Sequence, residues 1–275
     1  MFCVFGLLVI VAAVTIVGPV QAVPAAAHLT RSLNADPLWT KWPTSNISYY
    51  IDASYTPEQV TQIRAAIDKV SKDMSGCITF SETSPQSPEF KIHVTPNKEG
   101  SKVKETRCFA YPGIYVPLKD SGAKEQRVVL TDGPTGCFDG SLHPLMKYFT
   151  VILGKINEHQ RPDRDDFIRV NQGNLVANTV NIYREHTEDG SKGACPYDYC
   201  SITHNQPDVY SKEGEDGFIV RNKPFYIPKL NRLSECDCKD LSSIYAGCDA
   251  AKCEPLNCAD LDGAEGDEEE EKPVE

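Results

Sequence analysis

The chain has 275 residues, of which 40% are apolar and 24% charged, so it is long enough to bury the core of one large or two small domains. Its formal net charge is −11, but nine acidic residues and one lysine from Asp260 onward account for −8 of it. The rest of the chain carries only about −3, without the basic excess that nucleic-acid binding requires. Composition therefore indicates a folded globular protein that does not bind nucleic acid.

The first 22 residues, MFCVFGLLVIVAAVTIVGPVQA, form an apolar run that ends in small residues suited to signal-peptidase cleavage. We predict a signal peptide over residues 1–22, with an uncleaved membrane anchor as the alternative. No later stretch is apolar enough to span a bilayer, so the mature chain is expected to be secreted and free of membrane. Residues 23–38 are predicted to be a short leader or propeptide, which a trypsin-like protease could cut after Arg31.

Removal of the signal peptide leaves ten cysteines, an even number that suits five disulfides in an oxidising compartment. The alternative is a metal cluster, for which the candidates are Cys236, Cys238, Cys253 and Cys258. Asn46 begins an Asn-Ile-Ser sequence, which in a secreted protein is a possible glycosylation acceptor.

The folded region is predicted to begin near Trp39 with a strand, NISYYID, that alternates and is rich in β-branched and aromatic residues. Thr56 and Gln59 form a capping box around Pro57, and apolar residues at helical spacing follow until Gly76, so a helix is expected there. CITF, FKIHV and QRVVL then predict three short strands separated by turns.

The second half contains fewer signals of regular structure. A helix is predicted from about His143 to Lys155, ending near Gly154, and another short helix within CKDLSSIYAG. From Asp163 onward the chain is otherwise expected to be irregular. Strands and a helix followed by loops and cysteines indicate an α+β fold over residues 39–250. Residues 251–275 are predicted to be a disordered acidic tail, because they contain too few apolar residues to offset the entropy of ordering.

Seven stretches in this order resemble the astacin family (peptidase M12A) of secreted zinc metalloendopeptidases. They are KWPTSNISYYID, the helix leading into SGCITF, RCFAYPG, EQRVVLTDGPTGC, NEHQRPDRDDF, YDYCSITH and LSECDCKDLSSIYAGC. The resemblance runs from about Trp42 to Cys248. It implies a metzincin-like fold of two subdomains split by a cleft, with a twisted sheet and two long helices in the N-terminal half and an irregular, disulfide-linked C-terminal half.

The resemblance also implies particular pairs and contacts. The family's disulfides transfer to Cys77 with Cys248 and to Cys108 with Cys137, whereas six further cysteines allow fifteen pairings. The glutamate that meets the new N-terminus after propeptide removal corresponds to Glu158, so maturation docking of Ser32 is expected to survive.

The family's zinc chemistry requires H-E-x-x-H-x-x-G-x-x-H, in which three histidines bind the metal and the glutamate accepts a proton from the bound water. Counting back without gaps from NEHQRPDRDDF places Lys147, Val151 and Asn157 at the histidines and Tyr148 at the glutamate. A second register starts at HPLMK and restores only His143, with four extra residues before the glycine. Neither register keeps a base and two neighbouring histidines.

The turn beneath the metal is altered as well. SITHN stands where the family has Ser-Ile-Met-His-Tyr, so Thr203 replaces the methionine and Asn205 the tyrosine that helps ligate zinc. A rebuilt zinc site from His143, His159 and His204 is conceivable but less favoured, because scattered histidines are more often structural.

These replacements predict a catalytically inactive, pseudoprotease member of the family with no catalytic residue, no metal site and no cofactor. We expect it to act by binding an extended peptide or a protein in the former active-site cleft. The alternatives are an active zinc metalloendopeptidase with an unconventional metal site, and a structural secreted component for which the cleft is unimportant.

Overall fold

The structure is a computed structural model that describes residues 32–187, 191–192, 195–221 and 227–253. Its helices are α1 (Pro57–Asp73), α2 (Val116–Asp120), α3 (His143–Val151) and α4 (Glu235–Ile244). The strands of the first half are β1 (Leu33–Asn34), β2 (Trp39–Thr40), β3 (Asn46–Ile51), β4 (Thr79–Glu82), β5 (Lys91–Thr95), β6 (Ile114–Tyr115) and β7 (Glu125–Val129). Those of the second half are β8 (Ile168–Val170), β9 (Ser191–Lys192) and β10 (Phe218–Val220). This mixture of helices and strands is the predicted α+β class.

Four strands form a parallel sheet in the order β4-β3-β5-β7, and this sheet contains all three strands predicted after α1. Phe109 adds an antiparallel bridge to Val129 at the end of β7, with both main-chain hydrogen bonds present at 3.0 and 2.9 Å. The segment around Phe109 therefore continues the sheet beyond β7 and forms its edge.

Helix α1 has the predicted start, because Thr56 and Gln59 form both hydrogen bonds of the capping box and Pro57 is its first residue. Its buried residues include Ile63, Ile67 and Val70, which pack in one core with the inward side chains of the sheet and with α3. The periodicity of the sequence thus identifies the face of α1 that covers the sheet.

Helix α3 ends at Val151, four residues before the predicted end. Gly154 has φ of +115°, which stops the helix. The free carbonyl groups after the last turn accept side-chain hydrogen bonds, from Trp42 to Ile152 at 2.9 Å and from Tyr245 to Leu153 at 2.8 Å. These partners are far away in sequence, so periodicity alone could not place the end of the helix.

The second half has its own smaller core, built from Ile168, Phe218 and Tyr197 among others, beneath the antiparallel pair β8 and β10. The sequence predicted this region to be irregular, and the pair is a departure from that expectation. Each strand has only three residues, which is too short for a visible alternation.

Disulfides crosslink each half, and the pair Cys77–Cys248 joins one half to the other. The structure joins Cys77 to Cys248 and Cys108 to Cys137, the two pairs that the family resemblance implies. It adds two pairs that the sequence left open, Cys195 with Cys236 and Cys238 with Cys253. Cys200 is also disulfide-bonded, and Cys258 lies outside the described residues. Cys236, Cys238 and Cys253 are thus not free thiolates, which contradicts the alternative of a cysteine metal cluster.

The ordered chain extends further toward the N-terminus than the expected start near Trp39. Ser32 and Leu33 are buried, and β1 pairs with β9 and bridges to Lys155. Two strand residues without periodicity give no sequence signal, which is why the sequence predicts a leader over all of residues 23–38. Arg31, the predicted signal peptide over residues 1–22 and the acidic residues from 254 onward lie outside the described residues.

No helix in the described ranges is long and apolar enough to cross a membrane. Asn46, the predicted glycosylation acceptor, is exposed at the first residue of β3. Its Oδ1 accepts hydrogen bonds from Ser81 at 2.8 Å and Thr79 at 3.2 Å. The presence of a glycan stays a prediction.

Candidate functional site: a cleft without a zinc ligand set

The four positions that would carry the zinc ligands and the base lie together around one cavity of about 160 Å³. Lys147, Tyr148 and Val151 project from consecutive turns of α3, and Asn157 approaches after the chain reverses at Gly154. The structure therefore assembles the positions of the ungapped register. His143 lies one turn earlier, on a neighbouring cavity of about 380 Å³ that Lys147 and Tyr148 also line.

Lys147 is the charged group at the centre of this site, and only 7% of its surface is exposed. Its ammonium donates a hydrogen bond to Oδ1 of Asn205, a neutral acceptor. Among the described residues no carboxylate pairs with it. Burial accordingly lowers the pKa of Lys147 from 10.5 to about 7. An ammonium without a counterion is thus held at the wall of both cavities.

The three histidines of the conceivable rebuilt site are buried, but most of their nitrogens already have partners. His143 Nδ1 lies 2.7 Å from the carbonyl of Leu230, and His204 contacts Tyr197 at 2.8 Å and its neighbour's carbonyl at 2.6 Å. Burial, together with the nearby Lys147 charge, lowers the pKa of His143 to about 4 and that of His204 to about 3. Within the described part of the chain, no three His, Cys, Asp or Glu side chains are arranged to hold a metal ion.

His159 differs from the other two histidines. Its Nδ1 accepts a hydrogen bond from the backbone N–H of Asn205 at 3.2 Å, whereas Nε2 is buried. The carbonyl of Ile182 lies near the ring and acts to raise its pKa, but among the described residues Nε2 forms no hydrogen bond of normal distance and angle. Burial holds the pKa of His159 well below 6.5, so the ring is neutral at pH 7.

The altered turn is well packed. Thr203 is fully buried, and its hydroxyl donates to the carbonyl of Ile156 at 3.1 Å and accepts from the N–H of Glu158 at 3.2 Å. Threonine thus fixes the segment on either side of Asn157 by hydrogen bonds. Asn205 lies beside Lys147 and His159, so of the two altered residues it is Asn205 that contacts the site directly, whereas Thr203 fixes the backbone around Asn157.

Glu158 points away from the cavity into a buried polar cluster. Its Oε1 accepts from Arg161 and from the N–H of Asp198, at 2.8 and 2.9 Å, whereas Oε2 has no partner among the described residues. Burial raises the pKa of Glu158 to about 7 despite the neighbouring guanidinium. The same guanidinium donates to the hydroxyl of Ser32 at 3.2 Å, so Ser32 and Glu158 share one arginine. The structure therefore places Ser32 beside Glu158.

Sequence reasoning did not identify Tyr210, which lines both cavities beside Tyr148. Its φ of 62° is unusual for a residue with a side chain. Burial raises the pKa of both tyrosines, and their hydroxyl groups interact. Tyr210 lies in an irregular segment with no motif, so only its positive φ and its position at the cleft distinguish it.

The opposite wall of the smaller cavity is the edge segment Arg107–Ala110. Phe109 uses both its main-chain groups on Val129, so the main-chain groups of Cys108 and Ala110 point to the other side, toward the cleft. An exposed strand edge of this kind can pair with an extended chain. Among the described residues no main chain pairs with the main-chain groups of Cys108 or Ala110, so the cleft combines an available strand edge with a buried cation.

Comparison with known proteins places this cleft in a class of metalloproteases. The fold resembles that of high choriolytic enzyme 1, a hatching-enzyme zinc protease from Oryzias latipes, with a TM-score of 0.56, 21% identity and coverage of 78% of this chain and 96% of that one. Zinc metalloproteinase nas-14 of Caenorhabditis elegans is 26% identical over 208 residues, which are 74% of this chain and 37% of the relative. Astacin-like metalloprotease toxin 2 of Loxosceles intermedia is 27% identical over 215 residues, which are 74% of this chain and 73% of the relative.

A family model described as Astacin (Peptidase family M12A) matches residues 34–246. The chain therefore belongs to the astacin family. It spans 37 to 48% of the length of the nematode relatives nas-14, nas-13 and nas-17.

The zinc that these relatives' names imply does not fit the side chains at the site. Zinc sites in proteins use about four nitrogen, sulfur or oxygen donors, three of them from the protein in catalytic sites. Val151 has no lone pair, the ammonium of Lys147 repels a dication, and Asn157 offers a neutral amide oxygen. Tyr148 has a pKa raised well above 10 by burial, so it is no substitute for a catalytic glutamate.

Proposed function

We propose that this chain is a secreted, non-hydrolytic astacin that binds an extended peptide segment in its cleft. The observation that carries the proposal is the convergence of Lys147, Tyr148, Val151 and Asn157 on one cavity. All four positions lie where the ungapped family alignment requires ligands and a base, yet together they provide neither. Secretion is supported by the apolar residues 1–22 and by the disulfides.

Peptide binding does not depend on the metal. Strand addition uses main-chain hydrogen bonds, and the edge at Cys108 and Ala110 directs such groups into the cleft. The side chains of Lys147, Tyr148 and Tyr210 form the facing wall. An extended segment between these walls would lie where a substrate lies in a hydrolytic member of the fold.

The proposal is tested by measuring zinc content after dialysis together with cleavage of an unstructured protein. We expect less than about 0.1 zinc per chain and no cleavage, because neither a ligand set nor a base is present. Retention of about one zinc, with proteolysis that a chelator stops and zinc restores, would show that the chain is an active enzyme.

A series of variants that restore the family's zinc ligands and base step by step provides a matched comparison with the native protein. Asn157→His alone is expected to leave at most a weak metal site. The triple variant Lys147→His, Val151→His, Asn157→His restores three ligands without the base, so it should bind zinc but hydrolyse little. Adding Tyr148→Glu restores the base, and only this quadruple variant is expected to gain chelator-sensitive cleavage.

Binding is tested at the strand edge. Ala110→Pro removes one main-chain N–H on the cleft side and should weaken binding of an acetylated, amidated pentapeptide. The same peptide methylated at its central amide nitrogen should also bind less well to the unmodified protein. Peptide affinity that neither change affects would instead favour a structural component whose cleft is unimportant.

A further inference from the structure

The smaller cavity contains two buried hydrogen-bond donors that the described residues do not pair fully. Lys147 has three N–H donors, and its one acceptor among the described residues is Asn205. His159 accepts at Nδ1 from the N–H of Asn205, so its neutral ring carries the proton on Nε2. That Nε2–H is buried, and none of the described residues accepts a hydrogen bond of normal geometry from it; His159 lines the cavity.

These donors indicate the charge of a missing partner. A buried cation without a counterion is strongly unfavourable, and a buried unpaired N–H is costly as well. A carboxylate would correct both, because it is negative, only accepts hydrogen bonds and has two oxygens for two donors. Lys147 and His159 line the same cavity of about 160 Å³, so one such group could contact both.

Asn157 indicates that the carboxylate belongs to a peptide. Its Nδ2 donates to Gln160 at 2.6 Å, whereas its Oδ1 is buried and no residue in the described ranges donates to it. A carboxylate oxygen cannot satisfy Oδ1, because both are acceptors. A main-chain N–H next to the carboxylate can, and a peptide lying along Arg107–Ala110 presents such groups.

We propose that the cleft recognises a carboxylate of an extended peptide, held between Lys147 and His159, with a main-chain N–H of the same peptide donating to Asn157. The inference rests on the proposed peptide-binding function and adds the chemistry of the partner. The carboxylate is either the peptide's C-terminus or an Asp or Glu side chain. The chain's net charge of −11 would disfavour acidic ligands in general, so a preference for them has to come from a local site.

Two peptide pairs test the proposal and distinguish the two sources. The first pair is acetyl-Ala-Val-Ala-Val-Ala as the free acid and as the amide. The second pair is acetyl-Ala-Val-Glu-Val-Ala-amide and its Gln counterpart. Dissociation constants for the full secreted chain would be measured in buffers without carboxylates. We expect the acid member of at least one pair to bind about tenfold more tightly than its neutral partner. The pair that shows this preference identifies the source of the carboxylate.

Two lysine variants locate the site. Lys147→Met removes the ammonium but keeps the length of the side chain, and it should bind acidic and neutral peptides equally. Lys124→Met changes an exposed lysine away from the cleft and should keep the tenfold preference.

Each contrary outcome has a distinct meaning. Equal affinity of the unmodified protein for acidic and neutral peptides would refute the carboxylate site while leaving peptide binding intact. A preference that survives in Lys147→Met would also refute it. Failure of every peptide to bind would refute the proposed function, and with it this inference.

Discussion

Replacing Lys147 by methionine should make the folded protein more stable, although it removes a hydrogen bond. Burial lowers the pKa of Lys147 from 10.5 to about 7, so the charged form is disfavoured in the fold. At about 1.4 kcal/mol for each pH unit, this corresponds to a cost of at most roughly 5 kcal/mol below pH 7. Loss of the contact with Asn205 offsets about 1 to 3 kcal/mol of the gain. We therefore expect Lys147→Met to be roughly 2 to 4 kcal/mol more stable at pH 6.

The effect has a defined dependence on pH. Below about pH 7, Lys147 is protonated in both the folded and the unfolded state, so the full cost of burying its charge is present. Between about 7 and 10.5 only the unfolded state binds the proton, so the stability of the native protein recovers as pH rises. The advantage of Lys147→Met should therefore shrink by roughly 3 kcal/mol between pH 6 and pH 9. His143, His159 and His204, whose imidazoles have lowered pKa values, are already neutral across this window.

The assay is denaturant unfolding, with disulfides intact, of the native protein, Lys147→Met and the surface control Lys124→Met at both pH values. The control should change the free energy of unfolding by no more than about 0.5 kcal/mol. A gain for Lys147→Met of equal size at both pH values would show that the lysine is not held as an unpaired buried cation. A loss of stability at pH 6 would show the same.

Three further outcomes follow from the buried groups and crosslinks. In the chain that keeps the residues before Ser32, Glu158→Gln should gain up to roughly 3 kcal/mol relative to the unsubstituted protein as pH rises from 4.5 to 7, because only the folded carboxyl, with its pKa near 7, holds a proton there; a flat difference in urea unfolding would contradict the raised pKa. Replacing both Cys77 and Cys248 by serine opens a crosslink between residues 171 apart and should cost roughly 2 to 5 kcal/mol, read as a lower midpoint of thermal unfolding; an unchanged midpoint would count against it. Terminal sequencing of the secreted protein should begin at Ser32, after cleavage at Arg31, because the new ammonium could then pair with Oε2 of Glu158; a longer N-terminus would exclude this docking.

Features governed by local chemistry were predictable from sequence. Thr56, Pro57 and Gln59 specify the start of α1 within four residues, and the structure shows both capping bonds. The end of α3 was not predictable, because its carbonyl groups are satisfied by Trp42 and Tyr245 from opposite ends of the chain. For the same reason the pairs Cys195–Cys236 and Cys238–Cys253 could not be chosen among fifteen pairings.

The candidate site likewise has some features that local sequence specifies and others that depend on contacts between distant parts of the chain. Sequence comparison identified which positions replace the ligands and the base, because these positions are fixed by spacing along one motif. It could not show that Lys147 finds only Asn205 as an acceptor in the part of the chain that the structure describes, or that Nε2 of His159 is unpaired there, because both facts depend on a turn more than 40 residues away. Tyr210 lines the site with an unusual positive φ, and no sequence motif predicts this conformation.

The unpaired charge of Lys147 should both destabilise the free protein and bind the carboxylate of the peptide. Measurements of stability and of peptide binding should therefore report on the same ammonium group. A ligand that binds only the folded state adds RT ln(1 + [L]/Kd) to stability, which is about 2.7 kcal/mol at one hundred times Kd. The preferred acidic peptide at that concentration should therefore stabilise the native protein by about that amount. Lys147→Met, with tenfold weaker binding, should gain only about 1.4 kcal/mol at the same peptide concentration. The neutral peptide should stabilise both proteins equally. If the acidic peptide stabilised Lys147→Met as much as the native chain, the ammonium would not be the group that the ligand neutralises.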